Sequence, residues 1–294
     1  MTETQIEVQL LETIAEAIGV RPIAAHPLPV GFGLAGFRVD LIDGDRVAVK
    51  AHRNQASRSH LETEAFMLRE LAAHTELPVP AVRFASADLL IMSWIDNDGG
   101  AIGPAHERHA AELLAALHTT RLFSEFGYVR DTVIGPLHQP NTKMANWVAF
   151  FRDQRLLHMA RQAHDARALP DDLFARLEGL AGDLERYLIE PDHPALIHGD
   201  LWTGNILLKD GRIAGLVDPA LYCAHPEIEL AFTTLFGTFG TAFFDAYASL
   251  APLEADFQNV RRPIYNLYPA LVHLSLFGPQ YLPMIDGFLK EIGV

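Results

Sequence analysis

The chain has 294 residues, 49% of them hydrophobic, with a formal net charge of −14 and a single cysteine, Cys223. Such a length and apolar content suit one enzyme-sized body with a large core, or two lobes sharing a cleft. The negative charge argues against nonspecific binding to nucleic acid or anionic lipid, no apolar run approaches the roughly 20 residues of a membrane span, and the lone cysteine excludes an internal disulfide and fits a reducing, cytoplasmic compartment.

The first segment, MTETQIEVQLLETIAEAIG, is acidic and amphipathic and lacks the basic and apolar regions of a signal peptide. Ile6, Leu10, Leu11, Ile14 and Ile18 fall on one helical stripe, with Gly19 as its stop. The stretch HPLPVGFGLAGFRVDLIDGDRVAVKAH then changes period from helical to alternating. Phe37, Val39 and Leu41 alternate with polar residues, as do Val47 and Val49, and Asp43-Gly44 between them is a hairpin turn. Gly31-x-Gly33-x-x-Gly36 precedes this hairpin. In a dinucleotide-binding fold the third glycine would open a helix; here a strand follows, so that reading fails. Two readings remain: a flap whose backbone amides cover phosphates, or a plain flexible turn.

Ser59-x-x-Glu62 is a capping box opening a helix that runs to about His74. Its apolar stripe is Leu61, Ala65, Leu68 and Ala72, and Glu64 lies beside that stripe. A core-facing carboxylate needs a cation, and Lys50 at the end of the preceding strand is the candidate; the alternative is a solvated helix flank. Two more strands are expected near 81–84 and 89–95. DNDGG, Asp96 to Gly100, then breaks the pattern and sets the lobe boundary. The division is 1–95, a β-rich N-lobe, and 96–294, a mainly helical C-lobe. Beyond the boundary, Ala110, Leu113, Leu114 and Leu117 form a helical stripe, further helices run near 146–167 and 171–189, and the chain is helical from Pro226 to its end. The expected architecture is α+β and two-lobed.

ALIHGDLWTGNILLKDGRIAGLVD interrupts the helices as a β island. Asp200 and Asn205 are five residues apart, the spacing of a kinase catalytic loop in which the acid accepts the proton of a substrate hydroxyl and the amide holds Mg²⁺. Asp218 closes the following strand, where a second metal-binding carboxylate would sit, and oxygen donors suit Mg²⁺. His198-x-Asp200 also opens the facial triad of non-haem iron sites, but that set belongs with a mainly β chain. His198 is therefore expected to brace the loop, and surface histidines such as His106 and His109 to be solvated.

HGDLWTGN, VDPALY and HPEIELAFTTLFG, with NWVAFFRDQRL and YNLYPALVHLSLFGPQY further along, closely resemble the fructosamine (ketosamine) kinase family, within the aminoglycoside phosphotransferase and choline kinase-like superfamily. The resemblance extends over nearly the whole chain. It implies a protein kinase-like fold and ATP- and Mg²⁺-dependent phosphorylation of a sugar hydroxyl on a ketosamine, whose product sheds the sugar as deglycation. The acceptor would be a small ketosamine or a glycated protein. Carried over by position, Asp200 is the base and Asn205 and Asp218 hold Mg²⁺. Lys50 and Glu64 form the phosphate-positioning pair, under a phosphate flap that includes Gly31 and Gly33. Met92 lies behind the adenine, and Ser93, Trp94 and Ile95 form the connecting segment. Family members often carry a cysteine in the glycine-rich loop for redox-controlled dimerisation; this chain has none there, which puts such switching in doubt.

Trp202, in the loop beside the base, is expected to pack on the sugar, since aromatic faces suit sugar C–H faces. His273, Tyr268 and Asn266 lie on a late helix and are candidates for the amine side of the acceptor. Glu229 is expected to brace the loop through hydrogen bonds. Two other functions stay open at this stage: a kinase for an aminoglycoside or amino alcohol, and a non-catalytic nucleotide-binding protein.

Overall fold

A computed structural model describes residues 3–52 and 60–294. Ser59 of the expected capping box and the side chain of Ile6 lie outside what it describes.

Helix α1 (Glu3–Ile18) ends at Gly19, which takes the left-handed conformation of a helix stop. It is followed by β1 (Pro22–Leu28), β2 (Leu34–Leu41) and β3 (Arg46–His52), then α2 (Leu61–His74), β4 (Val82–Ala85) and β5 (Leu89–Ser93). The five strands form one antiparallel sheet in the order β1-β2-β3-β5-β4. Strand period 2 gives β3 two faces. Val47, Val49 and Ala51 pack with Ile14 of α1, Val39, Leu41, Leu89 and Ile91. Lys50 has the opposite parity and points to the α2 side, where Leu61, Ala65 and Leu68 pack on Leu90 and Met92. Glu64 lies on this inner side of α2, so the pleat and the helical stripe bring Lys50 and Glu64 together.

Residues 94–103 form neither helix nor strand and lead into α3 (Pro104–Thr119). Beyond lie β6 (Thr132–Ile134), β7 (Leu137–Gln139), α4 (Trp147–Phe150), α5 (Leu157–Asp165), α6 (Asp171–Gly182), β8 (Ala195–Ile197), β9 (Ile206–Lys209), β10 (Arg212–Leu216) and β11 (Tyr222–Ala224). Helices α7 (Pro226–Leu235), α8 (Thr241–Leu250), α9 (Arg262–Phe277) and α10 (Leu282–Ile292) complete the chain. A π-type stretch, Phe151–Leu156, joins α4 to α5, and a second, Phe257–Arg261, leads into α9. Trp147 is fully buried among Phe126, Phe150, Phe151 and Tyr265, and its indole N–H donates to the Tyr265 hydroxyl at 2.9 Å. Glu190 caps α4, accepting the amides of Trp147 and Val148 at 2.7 and 2.9 Å. The result is the expected α+β, two-lobed, kinase-like architecture.

Two details differ from expectation. The β6–β7 hairpin was not foreseen, because three-residue strands carry no readable alternation; buried Thr132 and Gln139 fix it by bonding the carbonyls of Leu221 and Ala220. And β8 does not belong to one island with β9 and β10: it pairs with β11, Tyr222 opposite Ile197, while β9 and β10 pair with each other. Residues 198–205 therefore bridge two separate ribbons.

Candidate active site

The bridge begins at His198 and Gly199. Gly199 has φ +85°, and a Cβ there would collide with the carbonyl of Ala220, so only glycine fits. Its N–H donates to Glu229 of α7 at 2.7 Å. The other oxygen of Glu229 bonds His118 Nε2 of α3 at 2.9 Å, and His118 Nδ1 bonds the Tyr247 hydroxyl of α8 at 2.9 Å. Glu229 and His118 are both buried, so this carboxylate ties the loop to two helices in a water-poor interior. Glu229 braces the loop as expected; His118 and Tyr247 were not anticipated, and the buried His in an otherwise apolar α3 stripe was the available signal. His198 is fully buried behind the loop, where desolvation lowers its pKa and keeps the ring neutral.

Asp200 follows. Asn205 Nδ2 donates to its carbonyl at 2.8 Å and to its Oδ2 at 2.9 Å. The acid and amide five residues apart are thus in direct contact, and the amide oxygen of Asn205 is its atom not engaged by Asp200. Burial pushes the Asp200 carboxyl up to about 7; the Asn205 hydrogen bond opposes that shift and the charge of Asp218 adds to it. A carboxyl of this kind changes protonation near neutral pH, as a proton acceptor for a hydroxyl must.

Asp218 stands just past β10, with φ +55°. The preceding amide, Val217 N–H, bonds the carbonyl of Asn205 at 3.0 Å, so the hairpin sets the two residues side by side. Lys50 Nζ donates to Glu64 Oε1 at 2.7 Å and to Asp218 Oδ1, joining the sheet, α2 and the hairpin. The side chain of Lys50 is 12% exposed and that of Asp218 47%. Burial alone would lower the Lys50 pKa; the charges of Glu64 and Asp218 outweigh it and hold the ammonium above its ordinary value. Burial raises Glu64, against the pull of Lys50 and with the charge of Asp218 added. Among the described residues no group of three His, Cys, Asp or Glu side chains could hold a metal alone. Asn205 and Asp218 instead supply two oxygen donors at the cleft. That partial set fits Mg²⁺, which takes one or two protein ligands and completes its shell with water and phosphate oxygens.

The glycine-rich loop lies between the antiparallel strands β1 and β2, with Gly36 already within β2. Gly33 has φ +76°, while Gly31 has open space around it. At the far edge, buried Met92 packs against α2, and the amides of Ser93 and Trp94 donate to Ala81 and Arg46 carbonyls at 2.8 and 3.2 Å. Ile95 packs on Gly215 of β10, where a Cβ would overlap its side chain, and Asp98 N–H bonds the Leu208 carbonyl at 2.7 Å. The connecting segment is thereby fastened to the hairpin that carries Asn205. His109, expected in solvent, is half-buried instead, its Nδ1 accepting the Ile213 N–H at 2.9 Å and pinning β10 to α3.

Trp202 is 41% exposed, and its indole covers Gly204, where any side chain would displace it. Its ring meets Phe236 at 6.3 Å, and Phe236 meets His273 of α9 at 4.8 Å. His273 Nδ1 donates to the Pro269 carbonyl at 2.7 Å, which leaves Nε2 as an acceptor. Tyr268 and Asn266 share α9 but are buried: the Tyr268 hydroxyl donates to Gln139 at 2.7 Å and Asn266 Nδ2 to Thr234 at 3.1 Å. Tyr268 nevertheless lines a small cavity with Gly199, Tyr222 and Glu229 behind the loop.

A protein of Synechocystis sp. named "Probable ketoamine kinase" is 33% identical over 262 residues, covering 85% of this chain and 84% of its own. The crystal structure of a protein assigned as a fructosamine-3-kinase from Thermobifida fusca superposes with a TM-score of 0.88 at 32% identity, over 96% of this chain and 98% of that one. An aminoglycoside phosphotransferase, APH(4)-Ia, shares the fold alone, with a TM-score of 0.67 at 17% identity over 96% of this chain and 99% of its own. The sequence profile described as fructosamine kinase matches residues 24–293, and the chain belongs to that family.

Proposed function

We propose that this chain is an ATP-dependent kinase for ketosamines, phosphorylating a sugar hydroxyl of a fructosamine or ribulosamine and so promoting loss of the sugar. The observation that carries the reading is the Lys50 contact to both Glu64 and Asp218, beside the Asp200–Asn205 pair. It supports a nucleotide cleft between a lobe of residues 1–95 and a lobe of residues 96–294.

In this reading Lys50 orients phosphate oxygens, held in place by Glu64. Gly31 and Gly33 let the loop backbone approach the phosphates. Met92 backs the adenine, and Ser93, Trp94 and Ile95 line its edge, with the carbonyl of Ser93 and the amide of Ile95 as partners for the base. Asp200 accepts the proton of the acceptor hydroxyl as its oxygen bonds to the γ-phosphorus and the bond to the ADP oxygen breaks. Mg²⁺, held by Asn205 Oδ1 and Asp218, would neutralise charge developing on the transferred group. Trp202 packs on the sugar, and His273 Nε2 faces the amine side. Tyr268, with Asn266 beside it on α9, supports that wall from behind.

The test is a coupled assay of ADP release with fructosamines, ribulosamines, an aminoglycoside and choline as acceptors. Turnover with ketosamines at least about 100-fold above the other acceptors is expected, a ratio that polar recognition of a sugar readily supplies. Preference for the aminoglycoside or choline would overturn the acceptor assignment, and no turnover with any would favour a non-catalytic role.

A further inference from the structure

Phe32 sits at the tip of the glycine-rich loop, between Gly31 and Gly33, with φ +58°. That conformation is unfavourable for a bulky residue and persists where the surroundings over-determine it. What Phe32 gains is contact with the other lobe. Its ring lies 6.2 Å from that of Phe277 at the end of α9, and its edge approaches Gly135 of the β6–β7 turn, where an added Cβ would touch the ring at 3.4 Å. From Phe277 the rings continue to His273 at 5.4 Å, Phe236 at 4.8 Å and Trp202 at 6.3 Å. Phe32 is 49% exposed, Phe277 49%, Phe236 37% and Trp202 41%, so four large apolar side chains leave one continuous aromatic surface open to solvent. Contiguous exposed apolar surface of this kind marks a binding face. This one starts two residues past Asp200 and ends on the loop that would cover the phosphates.

We infer that Phe32 is a specificity-determining residue for the acceptor: the glycine-rich loop contributes its aromatic tip to the acceptor pocket, which selects ketosamines whose amine carries an aromatic or large apolar group. The inference rests on the ketosamine reading above and deepens it. A ketosamine nitrogen is a protonated secondary amine, and aromatic faces attract such a cation while packing an apolar substituent beside it. Continuity with the loop that holds Asp200 places the sugar at the Trp202 end of the row and the amine substituent at the Phe277 end.

The N-methyl and N-benzyl adducts of fructose carry the same charge and differ by a ring, so they separate apolar recognition from sugar recognition. With the unmodified protein, kcat/KM for the benzyl adduct is expected to exceed that for the methyl adduct about tenfold, the worth of a modest apolar contact. In Phe32→Ala and Phe32→Leu that advantage should be lost through the acceptor KM, while the KM for ATP stays within about twofold. A KM for ATP that rises with the acceptor KM, or equal losses for both adducts, would overturn the inference and leave the ketosamine activity standing. Turnover by the unmodified protein of neither adduct, nor of the corresponding ribulose adducts, would overturn both. A preserved KM for ATP also reports that each variant is folded.

Discussion

Lys50 on β3 and Asp218 after β10 lie 168 positions apart in sequence and share an ion pair at the cleft. Glu64 completes the arrangement from α2, so one ammonium serves two carboxylates. Removing the cation leaves a buried carboxylate without a partner, which costs stability as well as chemistry.

Lys50→Met should therefore lower kcat/KM by about 100-fold or more, as expected when a charge aimed at the reacting phosphate is lost. It should also reduce the melting temperature increasingly as pH rises above the ordinary 4.5 of Glu64, since without its cation the buried carboxyl is held protonated still more strongly than in the unmodified protein. The double variant Lys50→Met, Glu64→Met should recover the melting temperature and stay inactive. Activity returning with stability would show the pair to be purely structural.

The raised pKa of Asp200 gives a pH profile with a defined sign. The carboxyl is ionised above about 7 in the folded protein and above the ordinary 3.8 when unfolded. Activity should rise with pH as the carboxyl ionises, through a midpoint below about 7, because Mg²⁺ held beside it at Asn205 and Asp218 would favour the ionised form that accepts the proton. Stability runs the opposite way: it is fully present below the unfolded pKa and is lost as pH rises toward the folded one. Asp200→Asn should thus be nearly inactive at every pH and, at pH 8, more stable by roughly 1–2 kcal/mol, a stability–function trade-off. Thermal melts at pH 4 and pH 8 check this; an equal effect at both would contradict it.

Glu229 touches no reacting group and acts through the Gly199 amide. Glu229→Gln keeps an oxygen for that amide but turns an amide N–H₂ group toward His118 or Gly199 in place of a second acceptor. A fall in kcat of about 10-fold or more with acceptor and ATP KM little changed is the expected split for a residue that positions the base. A rise in both KM values at constant kcat would assign Glu229 to binding.

Much of this site was legible in the sequence because its spacing is local. Asp200 and Asn205 are brought into contact by one short turn, and the alternation of β3 with the stripe of α2 aims Lys50 at Glu64. What escaped is set by distant partners. The pairing of β8 with β11 rather than β9, the His118–Glu229–Tyr247 chain and the aromatic row from Phe32 to Trp202 each join residues from separate elements, and no periodicity records such contacts. Tyr268 shows the converse: its helix was found, but its hydroxyl faces Gln139 of the unforeseen β6–β7 hairpin.

Cys223 offers no redox handle. It is buried on β11, and burial pushes its thiol up to about 12, so thiolate is scarce at neutral pH. A thiol reagent such as DTNB should label it only after unfolding, and mild oxidants should leave activity unchanged. Rapid labelling of the native protein would contradict the placement.

The central claim is tested most directly by the product itself. Incubation of the unmodified protein with ATP, Mg²⁺ and a fructosamine, followed at early times by ³¹P NMR, should show a new phosphate ester on the sugar appearing together with ADP, with Asp200→Asn showing neither. Release of free phosphate from ATP at the same rate with and without the fructosamine, or full ester formation by Asp200→Asn, would contradict it.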